Sequence, residues 1–133
     1  MAFATGSFEV QMQPQGPGDV GPGSSLGRMS LDKQFNGDLQ AVGKGEMLAA
    51  RSNIPTSAAY VAIERVTGTL HGRGGSFTLV HRGVMTASGQ TLSIEVVPDT
   101  GTDALAGLTG TLVIRIESGK HYYDFDYGLP SHP

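Results

Sequence analysis

The sequence predicts an all-β fold, an eight-stranded antiparallel β-barrel. Apolar and polar side chains alternate along eight short runs, Gly, Pro, Asn and Asp separate the runs, and no segment holds a helical period for long. Eight such strands can stack as a sandwich or close on themselves, and closure is favoured because it removes exposed edges. With 133 residues and no cysteine, the chain fits one domain with its own core and no disulfide or thiolate metal site. Its 20 glycines are spread along the chain, which implies many turns and bulges.

The first run, Ser7 to Met12, sets Phe8, Val10 and Met12 on one face against Ser7, Glu9 and Gln11. Residues 13–27, QPQGPGDVGPGSSLG, alternate Pro and Gly too densely for helix or central strand and are expected to form a long mobile loop. Arg28 to Asn36 resumes the alternation with Met29, Leu31, Lys33 and Phe35 together. Asn36-Gly37-Asp38 then supplies a hairpin turn, because Asn and Gly tolerate positive φ, and Leu39 to Ala50 runs back.

After a loop at Arg51 to Ser57, the segment Ala58 to His71 pits helix-favouring Ala58, Ala59 and Ala62 against Tyr60, Val61, Ile63, Val66, Thr67 and Thr69. The β-branched and aromatic residues prevail, and a strand is expected. Gly72 to Gly75 turns the chain into Ser76 to Met85, where Phe77, Leu79, His81, Gly83 and Met85 share a face. Thr91 to Val97, Gly110 to Glu117 and His121 to Leu129 complete the eight, with Asp103 to Leu108 as a turn or short helical piece and Ser118-Gly119-Lys120 as the last hairpin. Ser131-His132-Pro133 reads as a disordered tail.

The stretches GRMSLDKQFNGDL, YVAIERVTGTLHGRGGSF, LAGLTGTLVI and GKHYYDFDYGLP resemble segments of a small bacterial family classed as a domain of unknown function. The resemblance runs from Gly6 to Pro130 and implies a barrel like that of the allene oxide cyclases. Those enzymes and the dirigent proteins hold an apolar, reactive guest in such barrels, and Gly72 to Phe77 is similar to their glycine-rich turn before a strand. No catalytic residue is carried over from them. The Pro/Gly stretch at residues 13–27 departs from the pattern and could shape a barrel mouth.

Composition excludes several roles. A net charge of -3 with scattered Lys and Arg offers no basic field for nucleic acid. No window approaches a membrane span, and the N-terminal residues have no signal-peptide character, so a cytoplasmic location is expected. The histidines His71, His81, His121 and His132 form no ligand spacing, so no metal and no cofactor is expected. Asp124 and Asp126 face away from Phe125 and read as solvated charges. No serine has a nucleophile-elbow context, and no glycine run forms a phosphate loop.

The remaining lead is a set of polar residues on apolar faces. Lys33 sits with Met29, Leu31 and Phe35, where a lone ammonium would be costly, so it requires a counter-charge. Glu64 is the natural candidate and Glu46 the second. A one-residue bulge would reverse either assignment. His81 lies with Phe77 and Leu79, while Tyr60, Tyr123 and Tyr127 bring phenols to inner faces. Lys33 and Glu64 can equally be a structural ion pair, His81 a satisfied core histidine and the aromatic stripe ordinary core.

Taken together, Lys33, Tyr60, Glu64, His81, Tyr123 and Tyr127 are more polar than packing needs. They point to a barrel whose interior binds a small, mainly apolar molecule with one polar or anionic group, Lys33 meeting that group and the tyrosines hydrogen-bonding it. An alternative is an isomerase or cyclase with Glu64 or His81 as general base; a third is a structural barrel with a filled core. Outward Val61, Ile63, Val80 and Val84 make homo-oligomerisation an expectation as well.

Overall fold

The computed structural model describes residues 2–130. Nine antiparallel strands follow in chain order: β1 (Ala2–Pro14), β2 (Asp19–Val20), β3 (Ser24–Gly37), β4 (Leu39–Ser52), β5 (Ala58–Leu70), β6 (Arg73–Thr86), β7 (Gly89–Val96), β8 (Thr109–Glu117) and β9 (Lys120–Gly128). A single 3₁₀ turn, Asp103–Leu105, stands between β7 and β8. The sheet runs β1-β9-β8-β7-β6-β5-β4-β3, and a further pairing of β1 with β3 closes it into an eight-stranded barrel; β2 is a two-residue annex on the edge of β3.

Closure depends on β1 being shared. Its first half, Ala2 to Phe8, pairs with Tyr127 to His121 of β9, and Gly6 to Pro14 pairs with Gly37 to Met29 of β3. The weakest seam lies between β7 and β8, joined by the one pair Glu95 and Thr111. All eight expected strands are present, and Ala58 to Leu70 is strand as its β-branched content predicts. The ends of several strands run beyond the clearly alternating runs, because tertiary pairing extends them through Ala, Gly and Ser of weak intrinsic preference.

The expectation of a loop over residues 13–27 is corrected in part. β1 continues to Pro14, the Gln15 N–H donates to the Arg28 carbonyl, and Asp19 and Val20 pair with Leu26 and Ser25. Proline and glycine are tolerated here because this is an edge, where a missing N–H leaves no central ladder broken. The expected tail at Ser131-His132-Pro133 lies outside the described residues.

Inward side chains fill most of the barrel. Phe8, Phe35, Leu39, Val66, Leu70, Phe77, Leu79, Phe125 and Tyr127 form one continuous core, with Phe77 stacked on Phe125. One end is plugged: the 3₁₀ turn and the residues after it bring buried Leu105 and Leu108 against the start of β6, where the Thr102 N–H donates to the Ser76 carbonyl, the Ser76 N–H donates to Thr102 Oγ1 and the two hydroxyls are hydrogen-bonded. The interior is therefore packed along most of its length, and an open cavity remains at the opposite mouth. Val61 and Ile63 are outward and half-exposed, as the alternation requires. Asp126 departs from expectation, since its Oδ1 is buried without a partner, whereas Asp124 pairs with Arg115 at the surface.

Candidate functional site

Three strands supply the polar cluster. Lys33 lies on β3, Glu64 on β5 and His81 on β6, and all three point inward, with relative exposures of 8%, 0% and 3%. Between β3 and β5 runs β4, whose inward positions at this height are Gly43 and Gly45. A Cβ on Gly43 would stand 2.4 Å from Glu64 Oε2, and one on Gly45 would stand 2.6 Å from Glu64 Cα. The missing side chains of β4 leave the room through which Lys33 and Glu64 meet across an intervening strand.

Lys33 and His81 converge on one oxygen. The Lys33 ammonium donates to Glu64 Oε1 at 2.8 Å, and His81 Nε2 lies 2.6 Å from the same atom. Burial pushes the Glu64 carboxyl up, but the His81 hydrogen bond, the Lys33 charge and the remaining contacts with these two residues outweigh it and hold the pKa below the ordinary carboxylate value. With Glu64 ionised, His81 carries its proton on Nε2 and donates it. Glu46, the second candidate counter-charge, lies on the outer surface and pairs with Arg28.

Above the cluster opens a cavity of about 250 Å³ at the unplugged mouth. Phe8, Val10, Met12, Leu31, Met47 and Ile114 form its apolar walls, and Lys33, His81, Tyr60 and His121 bring polar atoms to it. The Lys33 ammonium stands 5.1 Å from the Phe8 ring centre, which also neighbours the His121 ring at 5.1 Å and the Phe35 ring at 5.7 Å. Burial raises the pKa of the half-buried Tyr60, which therefore stays a neutral phenol. Its ring occupies the space a Cβ on Gly83 would need.

Two sequence candidates fall elsewhere. The Tyr123 hydroxyl donates to the Asn36 carbonyl at 2.8 Å and accepts from the Leu39 N–H at 2.9 Å, tying β9 to the β3–β4 hairpin. Tyr127 is buried at the plugged end, its hydroxyl bonded to His71 Nδ1. Neither reaches the cavity. Alternation assigns a side chain to a face but says nothing of its height, and at ~3.3 Å per residue the inner face of β9 spans about 20 Å from His121 to Tyr127. The same holds for His121: alternation puts it on that face, and the pairing with Phe8 places it at the mouth.

A family described as protein of unknown function (DUF3224) matches residues 4–127. A solved crystal structure of a protein with unknown function from that family, from Shewanella oneidensis MR-1, is similar with a TM-score of 0.93 and 47% identity, over 98% of this chain and 99% of the other. No curated protein matches. Neither similarity bears on the likeness to allene oxide cyclases.

Proposed function

The chain belongs to the DUF3224 family, and because that family's description assigns no activity, we propose from the site that the protein binds a small, mainly apolar molecule whose single polar or anionic end meets Lys33. The observation that carries this reading is that buried Lys33 lines a mainly apolar cavity. An ammonium has three donors, and the protein occupies one of them with Glu64 Oε1. The others are available to an oxygen of a guest, and the Tyr60 phenol stands beside the same space.

Size supports a small guest. A cavity of about 250 Å³ lies just under the ~300–1,000 Å³ common for ligand pockets. Its apolar walls would provide affinity through burial, and the ammonium would provide orientation. A filled structural barrel would need neither an open apolar mouth nor a cation facing it. Self-association through the outward Val61 and Ile63 belongs to the same proposal, as a means of covering those side chains.

The test is binding of cyclohexanecarboxylate, followed by saturation-transfer NMR and titration calorimetry on the full chain. Wild type should bind it, and Lys33→Met should lose roughly 10- to 100-fold in affinity, the worth of a charge-assisted hydrogen bond. Thermal unfolding run alongside separates lost binding from lost fold. A wild-type protein that binds no small carboxylate, ketone or alcohol at millimolar concentration would overturn the reading.

A further inference from the structure

We propose that the mouth pocket is a proton-transfer site for small apolar ketones, with His81 Nδ1 as the base and the Lys33 ammonium at the carbonyl oxygen. This rests on the binding reading above and adds a reaction to it.

The first support is the state of the imidazole. Nε2 is committed to Glu64 Oε1 at 2.6 Å, which leaves Nδ1 as the basic nitrogen of the neutral ring. Nδ1 makes no hydrogen bond within the described residues, yet it is not sealed: the buried side-chain polar atoms without a partner there are Glu64 Oε2 and Asp126 Oδ1. His81 lines the mouth cavity, so its free nitrogen has the cavity as its outlet. A carboxylate bonded to the far nitrogen of an imidazole fixes the tautomer and stabilises the imidazolium once a proton arrives.

The second support is that base and electrophile open on one space. Lys33 and His81 both line the mouth cavity, and Lys33 Nζ and His81 Nε2 bond the same Glu64 oxygen, which fixes ammonium and imidazole beside each other. The other two titratable groups of the cluster are poor bases here. Glu64 has one oxygen taken twice and the other pressed against Gly43, and Lys33 Nζ is a donor to the shared Glu64 oxygen.

The step balances without any co-reactant. The bond from the α-carbon to hydrogen breaks, its electron pair forms the C=C bond of an enolate, and the carbonyl π pair moves onto oxygen beside the Lys33 ammonium. The proton goes to His81 Nδ1. Once the imidazolium has exchanged that proton with solvent, delivery of a deuteron to the same carbon gives hydrogen exchange; delivery of the proton to the far carbon of a β,γ-unsaturated ketone gives the conjugated isomer. Apolar walls exclude water from the enolate and strengthen its interaction with the ammonium. Tyr60 and His121 also face the cavity, Tyr60 as a neutral phenol able to donate to the enolate oxygen.

The probe is cyclohexanone in D₂O, with loss of its α-hydrogens followed by proton NMR and its binding by saturation transfer. Wild type should exchange it faster than buffer containing equimolar imidazole, with a rate that rises as one group deprotonates. His81→Gln should lower the enzymic rate by about 100-fold or more and abolish that pH profile. Lys33→Met should lower it by about 100-fold through loss of oxyanion stabilisation. If His81→Gln fails to fold, Lys33→Met and the wild-type pH profile still decide. Cyclohexanone that binds but exchanges no faster than in buffer overturns the proton-transfer inference and leaves the binding reading standing. So does a His81→Gln variant that exchanges normally while His121→Gln does not, because the base would then be the other imidazole. If neither cyclohexanone nor cyclohexanecarboxylate binds, both readings fall together.

Discussion

Gly43 lies against Glu64 so closely that a Cβ at that position would stand 2.4 Å from the carboxylate Oε2. The glycine is thus part of how a fully buried carboxylate is accommodated, as much as the two donors that bond its other oxygen. Gly43→Ala should displace the carboxylate or its strand and destabilise the protein by about 1–3 kcal/mol, the usual penalty of overpacking a filled interior. A urea midpoint equal to wild type would show that the carboxylate has room to move.

Lys33→Met separates pairing from binding. Severing a buried ion pair typically costs ~3–5 kcal/mol, but here His81 still donates to the stranded oxygen, so a loss of about 1–3 kcal/mol is expected. The double variant Lys33→Met with Glu64→Gln should recover part of that loss, because no uncompensated carboxylate remains. Thermal unfolding of wild type and both variants checks this, and equal stability of single and double variants would contradict it.

Glu64 should also shape the acid limb of the stability curve. Its folded pKa lies below the ordinary value, so the folded chain binds this proton less readily than the unfolded one. The resulting stabilisation is complete above the unfolded value of about 4.3 and is lost as pH falls below it and through the lower folded value. Denaturant midpoints measured across that window should therefore fall less steeply for Glu64→Gln than for wild type. Parallel acid limbs would show that the carboxylate titrates alike in both states.

Tyr123→Phe tests the separation of the two ends. Loss of the hydroxyl leaves the buried Leu39 N–H without its acceptor, at about 1–3 kcal/mol. Affinity for cyclohexanecarboxylate should not change, since the hydroxyl lies on the hairpin and not at the cavity. Weakened binding with full stability would return Tyr123 to the site.

Gly68 of β5 and Gly83 of β6 should behave differently. A Cβ on Gly68 would meet the Gln40 carbonyl oxygen at 2.1 Å and Ala41 Cα at 2.6 Å, both backbone atoms that cannot swing away. At Gly83 the obstacle is the Tyr60 ring, which is half-buried at the mouth and can turn. Gly68→Ala should lower the melting temperature strongly, and Gly83→Ala should lower it less while altering probe binding through the displaced ring. The reverse order would refute this account of the mouth.

The sequence by itself determined which residues face inward. Alternation along β3, β5 and β6 placed Lys33, Glu64 and His81 on apolar faces, and the buried cluster follows from that period because no bulge intervenes between each of them and its apolar neighbours. Strand character at Ala58 to Leu70 was equally legible, since β-branched residues there outnumber the alanines.

Height within the barrel was decided by tertiary structure alone. Tyr60, Tyr123 and Tyr127 read alike as inward phenols, yet the inter-strand register sends Tyr60 to the mouth, Tyr123 to the β3–β4 hairpin and Tyr127 to the plugged end. The glycines of β4 belong to the same class of information: Gly43 and Gly45 look like interruptions of a strand until pairing sets them between Lys33 and Glu64. A period of two is a local property of one chain segment, fixed by bond geometry. Register is a relation between segments distant in sequence, chosen by the packing of the whole barrel, and with it comes the choice of which inward residues share a site.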